Sequence, residues 1–316
     1  MKRFLTVILI TTLLLSAFGV KIGEVTCTMR HEFFQALHAG IVDAANEIGA
    51  EVMLIDPELS IEKQIQGIED LIEAGVDAII VIAITGDTVV PVVEEAAKKG
   101  IVVVAVDEVI PSDKVVTFVG TPNFEAGKKL GDLARKYIQT KLAGKKVKIA
   151  VVRDLGSTIQ AQRTEGFLAA LRGLENVEFV GEYQGYDRDK AFATVSDLLV
   201  AHPDLSIIYA PAENAVVGAF AALETMGRSD VKIFGFDMTE EAVRGIKKDV
   251  ILGMAQQQPY LLGVVGVQSA MIKLIGKKTL GSDWLPPKRL VPVKIYTPEN
   301  IDEYSPPPTK PSSTTK

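Results

Sequence analysis

Apolar and polar positions along the chain fall into two alternating kinds of segment. Short runs rich in Val, Ile and Ala, at 22–27, 51–55, 78–82, 102–106 and 115–118, have the length and make-up of buried strands. The longer segments between them carry apolar residues at helical spacing. Ile61, Ile65, Ile68 and Ile72 are one example, with Ser60 as the N-cap. The alternation resumes with strand runs at 148–152, 178–180, 206–209, 232–234, 252–255 and 290–296. Helical repeats accompany them at Phe192, Val195 and Leu199 and at Val216, Phe220 and Leu223. Such alternation implies right-handed crossovers and a mainly parallel sheet with helices on both faces.

The run Lys148-Ile149-Ala150-Val151-Val152 restarts the pattern that Lys21-Ile22-Gly23-Glu24-Val25 begins, and 124–142 between them reads as one long helix ending near Gly144. Two sheets of five or six strands are easier to build than one that takes every run. The fold class is therefore α/β, with two similar doubly wound parallel-sheet lobes.

A chain of 316 residues can bury two such cores, and 47% hydrophobic with 23% charged residues is the balance of a soluble protein. The net charge of −6 opposes nucleic-acid binding. The pairs Lys145-Lys146, Lys247-Lys248 and Lys277-Lys278 lie near element ends, where they solvate or complement helix termini. Lys2, Arg3, an apolar 4–15 and Ala17-Phe18-Gly19 make 1–19 a signal peptide, cleaved after Gly19. The alternative is an uncleaved anchor, for which the apolar run is short. The expected location is periplasmic or extracellular. Cys27 is the single cysteine and excludes an internal disulfide; in a core strand it reads as a buried, inert thiol. The segment 305–316, rich in Pro, Ser and Thr, is expected to be disordered.

In open parallel sheets ligands bind beyond the carboxyl ends of the strands. Polar and aromatic residues collect at those ends. In the first half they are Arg30, His31, Phe33, Phe34, Asp87, Asp107 and Glu108. In the second they are Arg153, Asp154, Tyr186, Asp187, Glu213, Asp237 and Gln256 to Gln258. The opposite ends hold plain turns such as Glu73-Ala74-Gly75 and Lys98-Lys99-Gly100. Carboxylates accept from hydroxyls, Arg and amides donate, and aromatic faces cover C–H patches, which suits a polyhydroxylated ligand in a cleft between the lobes. Catalysis fits less well. The three histidines have no nucleophile beside them, and no hydrolase elbow, zinc-protease motif, dinucleotide fingerprint or metal-ligand spacing is present. No enzyme activity, cofactor or metal is expected.

At these rim residues the sequence resembles the periplasmic sugar-binding proteins of ABC transporters, the ribose-binding type. In the first half the resemblance is carried by His31-Glu32-Phe33-Phe34 and the run from Gly100 to Asp107. In the second it is carried by Gln162-Arg163-Thr164-Glu165-Gly166-Phe167, Ala201-His202-Pro203-Asp204-Leu205, Gly235-Phe236-Asp237 and Gln257-Gln258-Pro259-Tyr260. It implies a three-segment hinge near Thr121-Pro122, Gln257-Gln258 and the stretch before Leu290. The lobes would then be 20–121 plus 258–289 and 122–257 plus 290–304. It further implies Asp107, Arg163, Asp237 and Gln257 as polar sugar ligands, Phe33 and Phe34 as an aromatic wall, and Tyr186 as an aromatic of the second lobe. The partners it implies are a small-molecule sugar and a membrane permease, with a monomeric binding protein. His31 and Glu108 stand where ribose binders carry Asn and Arg, and Ala212 beside Glu213 replaces another Asn. These departures point away from ribose toward a hexose, another pentose or a cyclitol.

Taken without the resemblance, each of these residues also has a plain structural reading. Phe33 and Phe34 are core, Asp107 and Asp237 cap turns or helices, Arg163 is a helix-surface charge, and Gln257 and Tyr186 are loop residues. Other function classes also share the fold. A binder of the signal autoinducer-2 or a chemoreceptor ligand carrier is the alternative, suggested by Ala210-Pro211. A sugar-responsive repressor would need a DNA-binding segment where the signal peptide stands, and an enzyme would need a nucleophile–base pair.

Overall fold

The strand runs pair into two separate six-stranded sheets. The computed structural model describes residues 19–312, so the signal-peptide stretch up to residue 18 and the last four residues lie outside the described part. The chain divides into two units. The first runs to Gly120 and takes in Gln258–Val291 and the stretch from Pro307; the second comprises Thr121–Gln257 and Pro292–Pro306.

The first unit contains β1 (Lys21–Val25), α1 (Glu32–Glu47), β2 (Glu51–Ile55), α2 (Ile61–Glu73), β3 (Ala78–Val81), α3 (Val90–Lys98), β4 (Val102–Val106) and β5 (Thr117–Gly120). The second follows with α4 (Asn123–Lys141), β6 (Val147–Arg153), α5 (Thr158–Leu171), β7 (Val177–Gln184), α6 (Arg188–Ala201) and β8 (Leu205–Ala210). It continues through α7 (Glu213–Met226), β9 (Lys232–Phe236), α8 (Glu240–Lys247) and β10 (Ile251–Gln256). The chain then returns to the first unit for α9 (Pro259–Thr279) and β11 (Lys288–Leu290), and to the second for β12 (Lys294–Tyr296). The strand orders are β11-β5-β4-β3-β1-β2 and β12-β10-β9-β8-β6-β7, the same order twice. All pairings are parallel except β10 with β12. Helices on both faces explain why β3 is buried at every position.

One reading from the sequence is corrected. The run 290–296 is not one strand: β11 extends the first sheet beside β5, whereas β12 closes the second, antiparallel to β10. Pro292 between them has no N–H to give a ladder, and the chain changes unit at Val291/Pro292. That crossing falls after Leu290. A fourth crossing, at Pro306/Pro307, leads into the tail. From 305 to 312 the tail forms neither helix nor strand, yet Ser312 is held: its N–H and hydroxyl donate to the Asp43 carboxylate at 2.8–3.0 Å.

In each unit two helices meet backbone to backbone through paired glycines. Gly40 of α1 lies against the Tyr260 carbonyl of α9, and Gly263 of α9 against that of Leu37. In the second unit Gly127 of α4 lies against the Arg163 carbonyl of α5, and Gly166 against that of Phe124. A Cβ at any of these positions would overlap the facing carbonyl oxygen. The stretch Pro259–Gly276 of α9 is apolar and long enough to cross a bilayer; here it packs on α1 and on the strands of the first sheet.

At the switch point between β1 and β3 the strand ends are closed by Gln64 of α2. Its amide donates to the Thr26 and Ile82 carbonyls and accepts from the Ile84 N–H, each at 3.0 Å. Deeper in β1, fully buried Glu24 meets His38 Nδ1 of α1 at 2.7 Å. Burial raises the Glu24 pKa, and the bond from Glu24 raises that of His38, so folding favours the proton held by the pair. Both pKa values lie above their ordinary 4.5 and 6.5. The stability they contribute is therefore full at acid pH and is lost as pH rises through the folded values. Urea titrations from about pH 5 to about pH 9 will show stability falling across neutrality, and Glu24→Gln will flatten that slope. An equal slope in the variant would assign the pH dependence elsewhere.

Candidate ligand-binding site

In the second unit, β9 ends at Phe236 and the chain turns through Asp237 with φ 66°, in the left-handed region that a non-glycine residue adopts only under constraint. The bend is pinned from β10: Asp237 N–H donates to the Ala255 carbonyl at 2.9 Å, and Met238 N–H donates to Gln256 Oε1 at 2.6 Å. Gln257 follows directly and its Nε2 donates to both Asp237 oxygens at 3.2 Å. Arg163 comes from α5, whose N-cap Ser157 accepts from the Gln160 N–H. Only 4% exposed, Arg163 donates through Nε to Asn123 Oδ1 at 2.9 Å and through Nη1 to the Pro211 carbonyl at 3.0 Å. Nη1 also stands 3.8 Å from Asp237 Oδ2, and the guanidinium lies 4.2 Å over the Phe236 ring. Burial raises the Asp237 carboxyl above its ordinary value, and the Arg163 charge and the Gln257 amide offset only part of that rise.

These bonds engage Nε and Nη1 and fix the plane of the guanidinium beside Asp237. Arg163 therefore presents fixed donors beside a carboxylate acceptor, the arrangement that recognises adjacent hydroxyls. The Phe236 ring and the stacked Phe167–Tyr209 pair, 3.9 Å between centroids, form an apolar backing.

The first unit repeats the bend. Asp107 follows β4, the counterpart of β9, has φ 68°, and donates its N–H to the Val119 carbonyl of β5 at 2.9 Å. Next to it, burial raises the Glu108 carboxyl, and Asp87 adds to the rise. At the neighbouring end of β1, Cys27 is buried and its thiol is pushed up by burial and by Asp107 and Glu108, which keeps it protonated and inert. His31 is the exposed N-cap residue of α1, and its side chain makes no capping bond. Phe33 and Phe34 meet edge to face at 5.3 Å and 88°; half-buried, they pack on the core and keep the rest of their surface in solvent.

The structure thus brings Arg163, Asp237 and Gln257 together, and sets His31 beside Phe34 and Asp107 beside Glu108. Tyr186 does not join the Arg163 group and is 57% exposed ahead of the N-cap Asp187. Glu213 stands in the exposed first turn of α7. Three partners of Arg163 and Gln257 are not among the candidate site residues of the sequence: Thr121, which the resemblance places at a hinge crossing, Asn123, and the carbonyl of Pro211 in a rim loop. Their residue types carry no signal, and only the position of Thr121 and Asn123 around Pro122, at the start of the second unit, marks them.

A periodic fold with such a rim has counterparts of known kind. The family model for the periplasmic binding protein domain matches residues 22–278. The ribose import binding protein RbsB of Bacillus subtilis is 31% identical over 259 residues, covering 81% of this chain and 82% of its own length. RbsB of Escherichia coli is 28% identical over 258 residues, covering 81% and 86%. Among solved structures, an ABC transporter solute-binding protein from Mycobacterium smegmatis with bound glycerol superposes with a TM-score of 0.79 at 29% identity, covering 94% of this chain and all of that one. With that match across most of its length, the chain belongs to the periplasmic binding protein family.

Proposed function

We propose that the protein is an extracytoplasmic solute-binding protein that captures a monosaccharide or cyclitol and delivers it to an ABC permease. The relatives named above are solute-binding transport proteins, and this protein is a binding protein and not an enzyme. The Arg163–Asp237–Gln257 group carries the reading. A buried guanidinium, held by two bonds and flanked by a carboxylate, is a costly arrangement to maintain unless its outward donors and acceptor are used. Hydroxyl pairs of a sugar match that set. Ribose import in the two curated relatives supports a sugar as cargo, and an envelope location follows from the same kinship.

A thermal-shift panel of D-ribose, D-allose, D-arabinose, D-glucose, D-galactose, myo-inositol and autoinducer-2 tests it. A ligand at about a thousandfold excess over its Kd adds about 4 kcal/mol to the folded state, and at least one sugar will raise Tm by roughly 5–10 °C. No shift with any of them, or a shift with autoinducer-2 alone, would overturn the sugar reading.

A further inference from the structure

Five buried or half-buried polar side chains of the second unit are linked in series, and the backbone from Thr121 to Asn123 closes them into a ring. Thr121 Oγ1 donates to Gln257 Oε1 at 2.9 Å, Gln257 Nε2 donates to Asp237, Asp237 pairs with Arg163, and Arg163 Nε donates to Asn123 Oδ1. Both ends of the ring rest on one stretch of chain, Thr121 to Asn123, where the polypeptide enters the second unit. Thr121 and Gln257 are each 6% exposed and Asn123 is 9% exposed, so neither water nor alternative partners replace these bonds at low cost.

We propose that Thr121 and Asn123 are positioning residues for the ligand-binding array. Thr121 fixes which face of the Gln257 amide meets Asp237, and Asn123 fixes the rotation of the Arg163 guanidinium. The inference rests on the sugar-binding reading of Arg163, Asp237 and Gln257. An amide has an accepting and a donating end, and a half turn exchanges them. The carboxylate takes only the amino end, and the Thr121 hydroxyl donates to the accepting end and holds the amide in that orientation. On Arg163, Nε and Nη1 are engaged by Asn123 and Pro211, which sets the plane of the guanidinium. Without Asn123 the guanidinium keeps only its Nη1 contacts and its stacking on Phe236, and can turn within the plane of that stack.

The test uses the full chain and two readouts. In ligand-free protein labelled with 15N-glutamine, the Gln257 side-chain amide, assigned by its loss in Gln257→Glu, will be slow to exchange with solvent. It will shift or broaden in Thr121→Val and return in Thr121→Ser. Calorimetric titration with whichever of D-ribose, D-allose and D-arabinose shifts Tm most will show Kd weakened about five- to tenfold in Thr121→Val and in Asn123→Ala. Thr121→Ser will stay within about twofold of wild type. If Thr121→Val does not fold, Thr121→Cys, with its weaker donor, takes its place. An unchanged amide signal and Kd in the Val variant, or a Ser variant as damaged as Val, would overturn the proposal. If none of the sugars binds wild type, the sugar reading falls, and the amide signal still decides the role of Thr121.

Discussion

Arg163→Met lowers the unfolding free energy by about 3 kcal/mol and weakens sugar binding by about a hundredfold or more. Methionine fills much of the same channel, so the loss is electrostatic rather than a cavity effect. The substitution leaves Asn123 Oδ1 and the Pro211 carbonyl without their donor, and leaves a carboxylate at Asp237 without its cation. Removing one member of a buried pair is the expensive case, because the other stays behind uncompensated. The stacking of Arg163 on Phe236 is lost as well. A second substitution separates the two effects. In Arg163→Met/Asp237→Asn the stranded charge is gone, so part of the stability returns, while binding does not. Urea unfolding and titration calorimetry on the three variants check this. A double variant less stable than Arg163→Met would refute the stranded-charge account.

Gly127→Ala costs about 2–4 kcal/mol and weakens binding together with stability. Helix propensity alone predicts the opposite sign, since alanine favours a helix interior over glycine by about 1 kcal/mol. The contact decides. The Cβ would overlap the carbonyl oxygen of Arg163 itself, an oxygen that also accepts from Tyr209 Oη at 3.2 Å. Neither helix backbone yields easily: α4 carries Asn123 at its start, and α5 is met in return by Gly166 against Phe124. Relief must come from parting α4 from α5, which draws Asn123 away from the guanidinium it steadies. Urea unfolding measures the sign, and a Gly127→Ala variant as stable as wild type would show that the two helices separate freely.

The sheet architecture was legible because the central strands β1, β3, β4, β6, β8 and β9 are buried at nearly every position, which makes their apolar runs continuous. Ser60 caps α2 as its type suggests, and Ile68 and Ile72 are buried as the period requires, although Ile61 in the first turn is 38% exposed. Legibility failed where one residue outweighs its neighbours. The run 290–296 looks continuous by hydropathy, but Pro292 splits it between two sheets. At the site, Asp237 and Gln257 stand at strand ends, where charged and amide residues are conspicuous, whereas Arg163 lies within α5 and is marked only by the family resemblance. Thr121 and Asn123 do not stand out, because their roles depend on which distant residues the fold brings beside them. In the sequence His38 falls in a helix and Glu24 in a strand run. Only the packing of α1 on β1 joins them.

The interleaving of segments between the two units sets an order of maturation during synthesis. When the ribosome has made the chain as far as Gln257, the first unit still lacks α9, which covers α1, and β11, which shields the edge of β5. The second unit by then lacks only the short strand β12 and the stretch after it. The part made first thus waits for most of the chain before its core can close, and its uncovered α1 face and strand edge remain open to non-native association until the chain passes Leu290.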